Sequence, residues 1–173
     1  RSSCILFGDG AGAAVVQAEE GELYPSVAGS DGTMGHVLAC ESRVQNDWQQ
    51  KEADRKTYID MDGTAVFKFA VRKMPEMAKS LMTQMHCTEA DIDWFITHQA
   101  NERIIEAIAK RLKSDIAKFP MNIAECGNTS SASIPILLDE MNRSGQLKDG
   151  QKIIMAGFGA GLSWGAVYME WHA

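Results

Sequence analysis

The spacing of hydrophobic and polar residues predicts a chain that alternates between helices and strands. Apolar residues recur at steps of three and four in three segments, and this spacing predicts helices at 66–81, 104–112 and 134–141. Short runs of apolar and β-branched residues predict strands at 92–97, 152–156 and 164–171. Because no repeat or internal boundary interrupts this pattern, residues 1–173 are predicted to form one α/β domain.

Local signals place the ends of several of these elements. Thr88 and Asp91 have the spacing of a capping box at the start of a short turn, and Asn101 can cap the helix that follows the strand at 92–97. Pro135 is compatible with the first turn of the third helix, and Gly145 is expected to end it.

The amino-terminal region contains two short apolar runs on either side of a glycine-rich stretch. Residues 4–7 and 13–17 flank the sequence GDGAG at 8–12, which predicts a β-hairpin rather than a helix. A phosphate-binding loop is the alternative, but it requires a following helix, and residues 15–17 have the pattern of a strand. We favour a structural role, in which the glycines permit a tight turn and close approach of the backbone.

The region from 22 to 55 gives weaker signals. Residues 22–28 predict a further strand, in which Pro25 indicates a sheet edge or a bulge, and residues 29–32 have the composition of a turn. Residues 45–55 are polar and predict a surface loop, with Trp48 as the exception.

Charge and hydropathy limit the classes of function. The net charge of −6 argues against a nucleic-acid-binding surface over the whole molecule, although it leaves room for a local basic patch. The longest apolar runs are far shorter than the roughly 18 residues that cross a bilayer, and the apolar start is too brief for a signal peptide. We therefore expect a cytoplasmic protein that binds neither nucleic acid nor a membrane.

The cysteines and histidines do not have the spacing of a metal site. Cys4, Cys40, Cys87 and Cys126 are widely separated and contain no CxxC pair, so we expect reduced, mostly buried thiols. His36 has no second ligand at a useful spacing, and a structural role is favoured for it. No metal is expected.

A histidine and an asparagine are the strongest candidates for chemistry. His98 follows the strand at 92–97, at the sheet edge where open α/β folds bind ligands, and Asn128 lies in the turn before the third helix. If the two meet in space, a neutral imidazole and a carboxamide can both donate hydrogen bonds to one developing oxyanion, such as a thioester carbonyl becoming an enolate. A histidine at a strand end and an asparagine before a helix are also ordinary structural features.

The motifs around these two residues resemble a known family. The sequence THQAN at 97–101, with Arg103, Ile104 and Ile105, is similar to the histidine motif of β-ketoacyl-acyl carrier protein synthase III of the thiolase superfamily. The sequence GNTSSAS at 127–133 resembles its asparagine motif. Three further blocks match in the same order: GDGAG at 8–12, MDG at 61–63 with VFK at 66–68, and GFGAG at 157–161 with SWG at 163–165.

The resemblance implies a fold and a domain organisation. It extends over the whole chain but corresponds only to the carboxyl-terminal half of a family member, one half of a five-layer αβαβα sandwich with helices on both faces of a mixed sheet. The family's nucleophilic cysteine lies in the amino-terminal half, and none of the four cysteines here has its context. We therefore expect that this chain is part of a longer, homodimeric enzyme and is inactive without the amino-terminal half.

The resemblance also implies roles for individual residues. His98 and Asn128 would hydrogen-bond the thioester carbonyl of malonyl-acyl carrier protein, and the backbone N–H of Ala160 would hold an oxyanion. Thr64 replaces an asparagine that many relatives have. Residues expected to bind substrate are Gly63, Phe67, Ala100, Asn101, Ile104, Phe158 and Gly159. Residues expected to dock the acidic carrier protein are Lys68, Arg103, Lys110 and Arg111.

The implied reaction joins an acyl-CoA, typically acetyl-CoA, to malonyl-acyl carrier protein by decarboxylative condensation, without a cofactor. A related polyketide or quinolone synthase with another starter and a non-catalytic subunit of a condensing complex are the alternatives. For Lys110 and Arg111, the helix dipole alone also explains cations in the last turn.

Overall fold

The computed structural model describes residues 5–18, 20–40 and 58–172. The strands among these residues are β1 (Ser26–Ser30), β2 (Leu38–Cys40), β3 (Ile59–Met61), β4 (Trp94–Thr97), β5 (Lys152–Gly159) and β6 (Ser163–Glu170). The α-helices are α1 (Gly63–Gln84), α2 (Glu102–Leu112), α3 (Ile123–Cys126) and α4 (Ser133–Arg143).

The main sheet has four strands in the order β1-β6-β5-β4. β4 and β5 are parallel, whereas β5–β6 and β6–β1 are antiparallel, so the sheet is mixed. β2 and β3 form a separate antiparallel pair. Because β4 and β5 run in the same direction, their carboxyl ends meet at one edge, and that edge carries the residues after Thr97 and Gly159.

Helices cover both faces of the main sheet. Successive strand residues point to opposite faces, so Phe95 and Ile154 pack against α1 and α2, whereas Ile96 and Ile153 pack against α4. The strands β4 and β5 are therefore buried on both sides, as their continuous apolar runs predict. This arrangement confirms the mixed sheet with helices on its two faces.

The predicted helix ends are confirmed. The Asn101 side chain accepts a hydrogen bond from the Arg103 N–H and caps α2. Thr88 and Asp91 form the capping box of a single turn of 3-10 helix. α4 contains Pro135 in its first turn and ends before Gly145, which has a left-handed φ of 69°.

The predicted amino-terminal hairpin is wrong. Residues 8–18 contain no strand, and the Val15 and Val16 side chains are 98% and 93% exposed. Phe7 instead makes an isolated parallel bridge with Asn128. A lone two-stranded hairpin is only marginally stable in water, and in this segment the pairing with the distant Asn128 turn prevails.

The predicted role of the glycines in close backbone approach is confirmed at Gly8. Its N–H donates to the Asn128 carbonyl at 3.0 Å, and a Cβ atom at this position would lie 2.0 Å from the Cys126 carbonyl oxygen. No helix follows the glycines within residues 8–18, so the phosphate-binding alternative lacks the element it requires.

Three smaller predictions need correction. The strand expected at 22–28 begins only at Ser26, after Pro25, and it is an edge strand as that proline indicates. The turn expected at 29–32 is strand as far as Ser30, because β1 pairs with β6, and a 3-10 helix follows at Gly32–Val37. The short helix α3 was not predicted, since one helical turn shows no periodicity.

Several cysteine and loop predictions have mixed outcomes. Cys87 and Cys126 are partly buried and form no disulfide with another described residue, whereas Cys40 is exposed, contrary to the expected burial. Cys4 and the predicted surface loop at 45–55 lie outside the described residues.

Within the described ranges, no three or more His, Cys, Asp or Glu side chains are grouped to hold a metal ion. None of the helices described is long and apolar enough to cross a bilayer.

Candidate active site

A cavity of about 800 Å³ opens where β4 and β5 end. His98 directly follows β4, and Phe158 and Gly159 end β5, so the two parallel strands deliver their last residues to one hollow. The β2–β3 pair, the start of α1 and the turn before α4 complete its walls. This position is the carboxyl edge at which open α/β sheets bind ligands.

His98 lies on the wall of this cavity, held by contacts from two directions. Its backbone N–H donates to the Ala156 carbonyl at 2.9 Å, which continues the pairing of β4 with β5. The imidazole Nδ1 is 2.7 Å from the Ser133 Oγ, and the ring packs edge-on against Phe158 with centroids 5.7 Å apart. No described residue hydrogen-bonds the remaining ring nitrogen, Nε2.

Asn128 also lines the cavity and is fixed through its backbone. Its N–H donates to the Leu6 carbonyl at 2.8 Å, and its carbonyl accepts from the Gly8 N–H at 3.0 Å. The side-chain Oδ1 accepts from the Ser130 N–H at 2.9 Å. Because Oδ1 is occupied in this way, the amide NH₂ is the end that remains to donate to a ligand.

Ser130 adopts an unusual backbone conformation next to this contact. Its φ of 55° is in the left-handed region, which residues other than glycine rarely occupy. Strained backbone of this kind is common where a functional side chain must be held in one orientation. At this turn it accompanies the hydrogen bond from the Ser130 N–H that fixes the Asn128 amide.

The environment of His98 keeps its imidazole neutral. Burial disfavours the charged form and lowers the pKa of His98 from 6.5 to about 4. At neutral pH the cavity is therefore lined by two uncharged side chains that can donate hydrogen bonds, His98 and Asn128. Such a pair can stabilise a negative oxygen without introducing a permanent charge.

This lowered pKa predicts how the stability of the fold depends on pH. Because the folded-state pKa is below the ordinary value of 6.5, the unfolded chain gains its proton first as the pH falls. The stability that neutral His98 contributes should be complete above pH 6.5 and lost progressively between 6.5 and about 4. An NMR titration of the His98 ring should give a midpoint near pH 4, and a midpoint near 6.5 would contradict the burial of this imidazole.

All seven residues predicted to bind substrate line this cavity, together with Ala160 and one predicted docking residue, Arg103. Those that line it, besides His98 and Asn128, are Gly63, Phe67, Ala100, Asn101, Arg103, Ile104, Phe158, Gly159 and Ala160. Lys68, Lys110 and Arg111 do not line it and are exposed on α1 and α2. Thr64, which the resemblance places where many family members have asparagine, is also not among the lining residues.

Two supporting residues were missed by sequence reasoning. Gln99 is completely buried, its side chain donates to the Thr97 and Pro120 carbonyls, and it accepts from the Asn122 N–H. Ser133 belongs to the asparagine motif, but its contact with His98 joins residues 35 positions apart. The available signal for Gln99 was its place within the sequence THQAN, two residues after β4.

Comparisons with known proteins give the chain a family. The model for "3-Oxoacyl-[acyl-carrier-protein (ACP)] synthase III C terminal" matches residues 82–171, and the model for "3-Oxoacyl-[acyl-carrier-protein (ACP)] synthase III" matches residues 1–32. The β-ketoacyl-[acyl-carrier-protein] synthase III of Clostridium novyi is 45% identical over 174 residues, which are 99% of this chain and 54% of that protein.

Solved structures agree with these sequence matches. The crystal structure of 3-oxoacyl-[acyl-carrier-protein] synthase III from Aquifex aeolicus is 38% identical in sequence and superposes with a TM-score of 0.86. The match covers 99% of this chain and 52% of the Aquifex chain. The corresponding structure from Pseudomonas aeruginosa is 37% identical in sequence, with a TM-score of 0.82. That match covers 100% of this chain and 53% of the Pseudomonas chain.

The fold is therefore that of the thiolase-like condensing enzymes, as the five sequence blocks implied. The chain belongs to the 3-oxoacyl-[acyl-carrier-protein] synthase III family, whose members are also called β-ketoacyl-[acyl-carrier-protein] synthase III. It spans about half the length of the curated relatives it matches.

Proposed function

We propose that the complete protein condenses an acyl-CoA, typically acetyl-CoA, with malonyl-acyl carrier protein and so starts fatty acid synthesis. The observation that carries this proposal is the pair of neutral donors, His98 and Asn128, on the wall of one cavity. The names of the relatives support it, since each is a β-ketoacyl-[acyl-carrier-protein] synthase III.

The proposed chemistry begins with loss of carbon dioxide from the malonyl group. The thioester oxygen accepts hydrogen bonds from His98 Nε2 and Asn128 Nδ2. The bond between the malonyl Cα and its carboxylate breaks, carbon dioxide leaves, and the electron pair moves onto the thioester oxygen as an enolate. Each such donor typically contributes about 3–4 kcal/mol of transition-state stabilisation.

Carbon–carbon bond formation follows in the proposed mechanism. The enolate carbon attacks an acyl group carried as a thioester on the cysteine that the family has in its amino-terminal half. The tetrahedral oxyanion is held by backbone N–H groups, including that of Ala160 in the turn after β5, and its collapse expels the cysteine thiolate. Because this chain lacks a cysteine in that context, we expect it to be inactive on its own.

The cavity suits the slender arm that carries a malonyl thioester. Apolar side chains such as Phe67 and Ile104 line it beside the small residues Gly63 and Ala100, so a long flexible group can pass between them. Asn101 uses its side-chain oxygen to cap α2, which leaves its NH₂ to donate to an amide of the arm.

Basic residues near the cavity are proposed to dock the carrier protein. Arg103 is exposed near the start of α2 and lines the cavity. Lys110 and Arg111 are exposed at the other end of α2. Lys68 is exposed on α1, which contacts α2. An acidic partner guided to this surface would bring its thioester to the opening. Since the chain carries a net charge of −6, this local excess of cations is not a consequence of overall composition.

Charge reversal tests this docking surface. Arg103→Glu or Arg111→Glu in the complete protein should raise the KM for malonyl-acyl carrier protein about tenfold, as expected when a charge at an interface is replaced by a repelling one. The KM for malonyl-CoA, which lacks the carrier protein, should change much less. Initial-rate assays with both substrates measure the difference.

The matched control for charge reversal is Lys148→Glu. Lys148 is exposed, and its neighbour Leu147 packs on the α4 side of the sheet, away from α1 and α2. An equal rise in KM for the control, or for both substrates, would remove the support for docking and leave the helix dipole as the explanation for Lys110 and Arg111.

The remaining assignments come from the family resemblance. We propose a single domain over residues 1–173 that joins the amino-terminal half of the same enzyme. The complete enzyme is proposed to be a cytoplasmic homodimer that needs no cofactor beyond its two substrates.

Product analysis tests the function as a whole. Purified complete protein, incubated with acetyl-CoA and malonyl-acyl carrier protein, should yield a 3-oxoacyl-acyl carrier protein detectable by its mass. A product formed only with another acyl-CoA would favour a polyketide or quinolone type of synthase. Absence of product with every starter would favour a non-catalytic subunit and contradict the proposal.

A further inference from the structure

We propose that Ser133 is a positioning residue that sets the tautomer of His98, so that the imidazole hydrogen is on Nε2 and faces the ligand. This inference rests on the proposed function, because it explains how His98 becomes a donor to the thioester oxygen. Neither motif assigns a task to Ser133, although it is the first residue of α4 and is only 2% exposed.

The contacts of the Ser133 hydroxyl give the direction of its hydrogen bond. The oxygen accepts from the backbone N–H of Gln99 at 3.3 Å, and it is 2.7 Å from the Nδ1 of His98. Among the described residues these are the hydrogen-bond contacts of this hydroxyl. Its own hydrogen therefore has one available acceptor, the lone pair of Nδ1.

The opposite tautomer would leave a buried hydrogen without an acceptor. If Nδ1 carried the hydrogen, it and the Gln99 N–H would both donate to the Ser133 oxygen. The hydroxyl hydrogen would then have no partner in a buried site, which is unfavourable. With Nδ1 as the acceptor, all three groups are satisfied and Nε2 carries the hydrogen of the neutral ring.

The serine is held firmly in this position. Ser133 begins α4, and Gln99 is fixed by its own buried hydrogen bonds to the backbone at Thr97 and Asn122. His98, Gln99 and Ser133 thus form one connected network between the end of β4 and the start of α4. Because both strand and helix are packed in the core, the imidazole is oriented before a substrate arrives.

Removal of the hydroxyl tests this assignment in the complete protein. Ser133→Ala should lower kcat for malonyl decarboxylation about tenfold, the factor expected for one lost hydrogen bond of this kind, and should change KM little. Ser133→Cys keeps nearly the same volume but offers a weak donor, and it should show the same loss. Ser144→Ala is the matched control, since the Ser144 hydroxyl also has two hydrogen-bond contacts, donating to the Met141 carbonyl and accepting from the Gln146 side chain, at the other end of α4.

The tautomer itself can be observed independently of the rate. Two-bond ¹H–¹⁵N correlation spectra of the protein labelled with [¹⁵N]histidine distinguish a protonated from an unprotonated ring nitrogen. Wild type and Ser144→Ala should show a protonated Nε2 on His98, and Ser133→Ala and Ser133→Cys should show a mixture of tautomers. His98→Asn assigns the signals.

The outcomes separate this inference from the proposed function. A protonated Nδ1 in the wild type, or an unchanged kcat and tautomer in the Ser133 variants, would overturn the role of Ser133. If Ser133→Ala fails to fold, Ser133→Cys and the wild-type spectrum decide the question. Unchanged decarboxylation in His98→Ala would instead overturn the proposed function, while the spectra would still report the Ser133 contact.

Discussion

His98→Ala in the complete protein should lower the rate of malonyl decarboxylation by about two to three orders of magnitude, the effect typical of removing one oxyanion donor. The substitution removes the proposed donor that follows β4 and leaves Asn128 as the other proposed side-chain donor that lines the cavity. The measurement is release of labelled carbon dioxide from malonyl-acyl carrier protein under single-turnover conditions.

The control for this variant is another histidine of the same chain. His86 is exposed at the end of α1 and does not line the cavity, so His86→Ala should decarboxylate at the wild-type rate. A rate for His98→Ala within a few-fold of the wild type would remove His98 from the mechanism and with it the main support for the proposed function.

Gly8→Ala should impair the site from a distance. A Cβ atom there would be 2.0 Å from the Cys126 carbonyl oxygen and 3.1 Å from its carbon, both in the backbone, so the two segments must separate. That separation breaks the hydrogen bond from the Gly8 N–H to the Asn128 carbonyl. We expect a loss of about 1–3 kcal/mol in the free energy of unfolding, typical of overpacking, and a decarboxylation rate reduced about tenfold or more as Asn128 shifts.

Denaturant unfolding and the decarboxylation assay measure these two effects, and Gly21→Ala is the matched control. Gly21 has no atom within 4 Å of a built Cβ, so the same substitution should leave stability and rate unchanged there. Equal behaviour of the two variants would show that the Gly8 contact does not support Asn128.

The elements with strong periodicity could be predicted from sequence. α1, α2 and α4 each bury one apolar face, and β4 and β5 are continuous apolar runs because they are covered on both sides. Caps such as Asn101 act within two residues of their partners and are therefore visible in the sequence. The position of His98 followed directly, since it is the residue after β4.

The parts that could not be predicted depend on contacts between distant segments. Phe7 and Gly8 pair with the turn at Asn128, and no local pattern distinguishes this from a hairpin across the glycines. The hydrogen bonds of Ser133 to His98 and Gln99 likewise cross from α4 to the end of β4. Sequence motifs indicated which residues belong to the site, whereas the orientation of their donors required the structure.

The proposed convergence of His98 and Asn128 on one oxygen can be tested directly. A crystal structure of the complete protein with an unreactive malonyl thioester bound should show His98 Nε2 and Asn128 Nδ2 both within about 2.7–3.2 Å of the thioester oxygen, the normal range for such hydrogen bonds. A bound thioester whose oxygen contacts neither side chain, or only backbone groups, would contradict the proposed role of the pair.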